Sequence, residues 1–194
     1  MQDNKTRQME SENISRYVPL AALFAALGLI FPVFFHLVGL GSTFLPMFLP
    51  ILMGSLLLPL KLALSISIVT PLLSFLFTGM PPLYPPILPV MVTELALIGA
   101  IGSFLFFHKK APLWLTLVTA VLADRIVLFV FVFWLAPLFG LPEKAFSIAA
   151  VLHGIPGIVL IFTVIPMTFR FLKDKYPQVF RQTFTERKEP ANGN

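Results

Sequence analysis

Six apolar stretches, separated by short polar or proline-containing breaks, dominate the chain. A run of roughly 17 to 25 apolar residues can cross the hydrocarbon core of a bilayer as a helix. The second stretch is the shortest and contains Pro46 and Pro50, so we expect a tilted, broken or partly re-entrant segment there. The pattern predicts an all-α integral membrane bundle. Its six helices are predicted over residues 17–38, 44–58, 60–77, 87–107, 113–138 and 145–172.

Composition supports a membrane location. Only 12% of the residues are charged and 57% are hydrophobic, whereas soluble domains carry about 25% charged residues. Cysteine is absent, which excludes disulfides, thiol catalysis and Cys-ligated metals. We divide the chain into a cytoplasmic N-terminal tail (1–16), a six-helix membrane domain (17–172) and a polar cytoplasmic C-terminal tail (173–194). The mixed charges of the first tail, with no cleavage site after a short apolar core, do not resemble a signal peptide.

The basic residues predict the orientation of the bundle. Cytoplasmic loops of membrane proteins are enriched in Lys and Arg. With the N-terminus inside, twelve of the fourteen basic residues fall on the cytoplasmic side. The outer loops hold only Lys144, and Arg125 lies within a helix. The distribution predicts that both termini are cytoplasmic, and it argues against nucleic-acid binding because the basic residues form no continuous patch.

Three ionisable residues are predicted to lie within the membrane, namely Glu94, Asp124 and Arg125. Such groups are costly in lipid and usually face a protein interior or a watery cavity. At about 1.5 Å per residue, Glu94 lies roughly 10 Å below the outer end of the fourth helix. Arg125 lies roughly 20 Å from the same side of the membrane on the fifth helix, so the two side chains can meet.

Two interpretations of these charges stay open. Glu94 and Arg125 either form a buried ion pair that fixes helix packing, or they bind a polar solute. In the second case Arg125 holds a carboxylate or phosphate through its planar fork, and Glu94 accepts a hydrogen bond from the solute. Asp124 is about 100° around the helix from Arg125. We therefore expect Asp124 to pair elsewhere or to orient Arg125 through a neighbour.

Other polar and small residues are candidates for the outer side. The charge-free loop over 78–86 carries four prolines with Met80 and Tyr84, and it is interpreted either as a simple helix break or as a rigid wall above a pocket. His153 is either a pocket residue or a satisfied buried histidine. Gly154 and Gly157 flank Pro156, and we expect them to thin and kink the sixth helix, making room for a ligand or for close packing.

Small residues also line the first helix, AALFAALG. Ala21, Ala25 and Gly28 share one face, with Ala22 and Ala26 beside them. Small residues four positions apart let another helix approach closely in lipid. The pattern is explained either by internal packing or by a docking surface for a separate membrane subunit.

Motifs for catalysis are missing from the sequence. It contains no GxxxxGK[ST] for ATP binding, no HExxH and no GxSxG. Three scattered histidines and two separated membrane carboxylates do not form a plausible metal site. We expect no enzymatic activity, no catalytic residue, no metal and no cofactor.

Four segments together resemble the S components, the substrate-capture subunits, of energy-coupling factor (ECF) transporters. They are AALFAALG, STFLPMFLPILMGSLL, TPLLSFLFTGMPPLYPPILPVMVTELALIG and HGIPGIVLIFTVIP. The resemblance covers about residues 17–172 and implies a six-helix subunit of a prokaryotic cell membrane that captures vitamins or related micronutrients. It also implies partner ATPases and a transmembrane T subunit.

The resemblance implies positions for the site and for the partner. The roof of an externally facing pocket would include Thr43, Met80 and Tyr84. Its walls would include the residues Glu94, Arg125, His153 and Gly154. The alanine motif that contacts the T subunit maps onto Ala21, Ala22, Ala25 and Ala26. The chain departs from many relatives in having SLLLPLKLALS where they have a glycine-rich turn.

The identity of the solute stays open at this stage. A carboxylate-bearing vitamin or precursor of the pantothenate type suits an arginine opposite a glutamate, and so does a neutral heterocycle. Two other functions are alternatives: a membrane scaffold of the cell-shape type, and a proton-coupled carrier of small solutes that titrates Glu94 or Asp124.

Overall fold

The described part of the chain is almost entirely helical. The structure is a computed structural model that describes residues 14–37, 39, 46–83, 86–135, 137 and 154–175. These residues form six helices of ten residues or more, and each overlaps one of the predicted segments. They are α1 (Val18–Leu37), α2 (Phe48–Leu57), α3 (Leu60–Thr78), α4 (Ile87–Ile101, continued by π-helical Gly102–His108), α5 (Leu113–Val130, continued by π-helical Phe131–Leu135) and α6 (Ile155–Lys175).

The helices have the lengths and surfaces of a membrane protein. Four are long and apolar enough to cross a bilayer: α1, α3, α4 and α5. Shorter apolar helices cover Phe48–Leu57 and Ile155–Phe171. Large apolar side chains such as Phe34, Leu76 and Ile126 are exposed on the long helices, as expected for surfaces that contact lipid tails. The predicted all-α membrane architecture is confirmed, and the orientation of the termini stays a prediction.

The short helix α2 lies at the centre of the bundle. It contacts α1, α3, α4 and α6, and Ile51, Leu52 and Leu56 are completely buried. Ten residues span only about 15 Å, so α2 cannot cross the membrane alone, but its neighbours enclose it. Pro50 lies in the first turn of α2, where a missing N–H breaks no helical hydrogen bond. The predicted irregular segment is therefore a short, continuous helix within the described residues.

Glycines let the neighbouring helices approach α2 closely. A Cβ atom added to Gly54 of α2 would lie 2.8 Å from the Phe24 ring of α1, and one added to Gly102 of α4 would collide with the Ser55 hydroxyl of α2. Gly99 of α4 faces the Ser67 hydroxyl of α3 in the same way. Close packing of this kind is the main source of helix association in lipid.

The π-helical end of α4 is fastened to the turn between α2 and α3. The Ser103 hydroxyl donates a 2.7 Å hydrogen bond to the Leu58 carbonyl, and the Leu60 amide donates to Nε2 of His108 at 3.4 Å. A π-helix has wider turns than an α-helix. The Lys109 amide accordingly donates a 2.9 Å hydrogen bond to the Phe104 carbonyl, five residues back. The Ser103 hydroxyl thus satisfies a carbonyl just after the end of α2, where the last carbonyls have no partner within the helix.

The described residues of the α3–α4 connection form hydrogen bonds of their own. Gly79 adopts φ 71°, a left-handed helix cap, and its amide donates to the Phe75 carbonyl at 2.8 Å. The Met80 amide donates to the Thr78 hydroxyl at 3.2 Å, and the Leu88 amide donates to the Pro82 carbonyl at 3.2 Å. These bonds hold the loop in place beside the start of α4.

The expected kink in the sixth helix is wrong. Gly154 lies in a turn and α6 begins at Ile155, so Pro156 occupies the first turn. The Ile158 amide donates to the Gly154 carbonyl at 3.1 Å, which closes that turn. Proline is favoured there because its fixed φ suits the helix and its missing N–H has no partner to lose.

We predict that Gly102→Ala destabilises the protein by about 1–3 kcal/mol, the usual cost of overpacking a close contact. The added methyl group meets the hydroxyl of Ser55, so Gly102→Ala combined with Ser55→Ala should lose less stability than the sum of the two single variants. Denaturant unfolding in detergent measures all four proteins. Strict additivity would show that the two residues do not interact.

Candidate functional site

Glu94 lies on α4 in a buried position. It is seven residues after the start of the helix at Ile87, about 10 Å along the axis. Its exposed fraction is only 7%. Helix α4 packs along α5, and the charges of Asp124 and Arg125 on α5 act on the Glu94 carboxylate. The structure thus brings together the three ionisable residues that the sequence placed at membrane depth.

Asp124 and Arg125 form a direct ion pair. Arg125 Nε donates to Asp124 Oδ2 at 2.9 Å, and Arg125 Nη2 donates to the same oxygen at 2.7 Å. The expectation that the two side chains could not pair directly is wrong. It treated each side chain as fixed in its helical direction, whereas the long arginine side chain turns back to its neighbour. In lipid no water competes for the two charges, so this pairing is favoured.

The carboxylates retain acceptor capacity after this pair has formed. Oε1 of Glu94 and Oδ1 of Asp124 are buried and have no hydrogen-bond partner within the described part of the chain. A buried acceptor left unpaired costs about 1–3 kcal/mol, so native structures rarely tolerate one without a functional reason. Two such atoms lie on the neighbouring helices α4 and α5, and we take this region as the candidate site.

Buried hydroxyls elsewhere in the bundle show the usual behaviour. Ser67 donates to the Ala63 carbonyl at 2.7 Å, and Ser55 donates to the Leu52 carbonyl at 2.7 Å. Thr70 is an exception, since its Oγ1 is buried without a partner beside Gly28. Sequence reasoning did not identify Thr70, because a threonine among apolar residues gives no signal of an unpaired hydroxyl.

The position of Glu94 along α4 can be measured from the contact between α4 and α2. Gly102 of α4 meets Ser55 of α2, and Ser103 bonds to Leu58. Glu94 is eight residues before Gly102, about 12 Å along the helix. Glu94 therefore lies toward the start of α4, away from the contact between Gly102 and Ser55.

The remaining predicted site residues divide into two groups. Met80 is exposed in the α3–α4 loop, and Gly154 is buried at the turn before α6. Thr43, Tyr84 and His153 lie outside the described residues. The predicted contribution of all five to a binding site stays a prediction.

An apolar groove of about 440 Å³ lies elsewhere, between α1 and α3. Leu29, Val33 and Phe34 line one side, and Ser74 and Phe77 line the other. It contains none of the three ionisable residues. A groove this apolar, on a surface facing lipid tails, suits hydrocarbon rather than a polar solute.

Comparison with protein families identifies the chain. The model of the family described as ECF transporter, substrate-specific component, matches residues 16–169. The chain belongs to this family. No curated protein and no solved structure matches it significantly.

Membership in the ECF substrate-specific components confirms the resemblance seen in the sequence. The chain is a multi-pass membrane protein and a substrate-binding subunit of ECF transporters. The family consists of transporter components and is not an enzyme family. Membership implies a small-molecule substrate and partnership with the T and ATPase modules of an ECF transporter.

We predict that Arg125→Ala lowers the free energy of unfolding by at least about 1 kcal/mol, because Asp124 is left buried without its counter-ion. Removing both members with Asp124→Ala and Arg125→Ala should recover part of this loss. Thermal unfolding of the purified variants in detergent tests the difference. A double variant less stable than Arg125→Ala alone would contradict this account of the pair.

Proposed function

We propose that the protein captures a micronutrient, a vitamin or a vitamin precursor, for an ATP-driven ECF importer in the cytoplasmic membrane of a prokaryote. Membership in the substrate-specific component family is the observation that carries this proposal. The chain has no nucleotide-binding loop in its sequence, so partner ATPases supply the energy. Both termini lie in the cytoplasm, in keeping with the distribution of basic residues.

The proposed solute site lies between α4 and α5 toward the external face. Glu94 and Arg125 form its walls, together with His153 and with Gly154 from the turn before α6. Support comes from the unpartnered oxygens of Glu94 and Asp124. Glu94 lies about 10 Å along α4 from the start of that helix. Thr43, Met80 and Tyr84 form the proposed roof, and the hydrogen bonds of the α3–α4 loop support a preformed wall there.

The proposed T-subunit contact lies on α1. Ala22 and Ala26 are exposed, Ala25 is half-buried, and Ala21 is buried in the core. An exposed pair of small residues four positions apart allows a partner helix to approach closely. Ala22 and Ala26 therefore supply most of the proposed docking surface, and Ala21 supports it from behind.

We predict that Glu94→Gln weakens solute capture at least tenfold without lowering the melting temperature of the unliganded protein. The substitution keeps the shape of the side chain and removes a buried charge whose Oε1 has no partner, and such sites trade stability for function. Native mass spectrometry of the purified protein detects retained solute. Thr93→Val is the control, because Thr93 is exposed and its hydroxyl bonds only to the Pro89 carbonyl.

This experiment, together with an uptake assay, separates the alternative functions. A scaffold protein would retain no solute in either form, and Glu94→Gln would change only its stability. A proton-coupled carrier would take up solute without any ATPase partner and would stop when a protonophore is added. Uptake that requires the ATPase partners and survives the protonophore supports the importer.

We predict that Ala26→Leu blocks assembly with the T subunit and leaves the melting temperature of the isolated subunit unchanged. The larger side chain projects from an exposed position on α1, where it prevents close helix approach. Co-purification with the T subunit measures assembly. Thr163→Leu adds similar bulk at an exposed position of α6 and serves as the control. Equal assembly of both variants would place the docking surface elsewhere.

A further inference from the structure

Two unsatisfied acceptors on adjacent helices constrain the chemistry of the solute. Glu94 and Asp124 are more than nine-tenths buried, and one oxygen of each side chain, Oε1 and Oδ1 respectively, has no hydrogen-bond partner within the described ranges. Carboxylate oxygens only accept hydrogen bonds when ionised. Partners that suit these two oxygens in the ionised side chains are therefore hydrogen-bond donors.

Arg125 directs its donors to Asp124 in this structure. Both Nε and Nη2 donate to Oδ2 of Asp124, at 2.9 Å and 2.7 Å. An arginine that clamps an anion presents this edge of the guanidinium to the ligand as a two-pronged donor. Here the edge is occupied by the neighbouring carboxylate.

The balance of charge leads to the same conclusion. The set contains two acidic side chains and one basic side chain, so Arg125 can neutralise only one of the two carboxylates formally. An anionic solute beside ionised Glu94 and Asp124 would be repelled, because like charges repel strongly in a medium of low dielectric constant. A cationic or neutral donor group meets no such repulsion.

We propose that the captured solute presents nitrogen-bound hydrogens, from an ammonium, amidine, amino-heterocycle or similar group, to Glu94 Oε1 and Asp124 Oδ1. This inference rests on the proposed function, since it assumes that the chain captures a solute. It narrows the choice left open by the sequence, in which an anion held by Arg125 was equally acceptable. Charge-assisted hydrogen bonds of this type are about twice as strong as neutral ones.

Matched probe pairs test this inference on the full-length protein in detergent. Pyridoxamine and 4-pyridoxate share a ring and differ in carrying an aminomethyl or a carboxylate group at one position. The compounds 3-(aminomethyl)pyridine and nicotinate form a second pair. Shifts in melting temperature are measured for each probe, and native mass spectrometry with extraction identifies any solute retained from the cells.

The expected result is that the amine member of each pair binds at least tenfold more tightly than its carboxylate counterpart. Any solute retained from the cells should carry N–H groups. Glu94→Gln and Asp124→Asn should each remove that preference, while Thr93→Val should keep it. If Asp124→Asn fails to fold, Glu94→Gln alone decides the result, because Glu94 is not a member of the ion pair.

Two other results overturn the inference, and they differ in what they leave standing. Preferred binding of the carboxylate probes, or a retained solute without N–H groups, refutes the proposed solute chemistry but leaves solute capture intact. Absence of any retained solute together with no shift from any probe refutes both the solute chemistry and the capture function.

Discussion

Enclosure of the short helix α2 is the constraint on which the rest of the bundle depends. A ten-residue helix is too short to cross the bilayer, and the hydrocarbon core offers no water to its end groups. The surrounding helices must therefore approach closely enough to cover it. Gly54 and Gly102 permit that approach, and the Ser103 hydroxyl binds the carbonyl of Leu58 just after α2 ends. The longer helices expose many large apolar side chains, such as Leu76 and Ile126, on their outward surfaces.

Polar groups in this bundle fall into two classes. Several buried hydroxyls donate to a carbonyl one turn back in the chain, as Ser67 does to Ala63, and these serve the fold. Glu94 and Asp124 retain buried oxygens without partners, which costs stability. Proteins keep such an arrangement where function requires it. A substrate-specific component recognises a substrate, and our proposal assigns Glu94 and Asp124 to that task.

The sequence was sufficient to place the helices and the three membrane-depth charges. Hydropathy over runs of this length is a strong signal, and each predicted segment contains a helix whose described bounds differ by a few residues, except at the start of α6. The faces of the helices were harder to predict. A helix that is apolar on all sides has little amphipathic signal, so the sequence did not distinguish buried Ala21 from exposed Ala22. The pairing of Asp124 with Arg125 was missed because helical periodicity describes Cβ directions and not the reach of a flexible side chain.

The attachment of the π-helical end of α4 has a mechanical consequence. Ser103 and His108 tie that end to the residues between α2 and α3, whereas Glu94 lies about 12 Å nearer the opposite end of the helix. Small rotations of α4 about its anchored end displace Glu94 sideways while the anchor stays still. Such a rotation changes the spacing between Glu94 and Asp124 more than it moves the anchored residues.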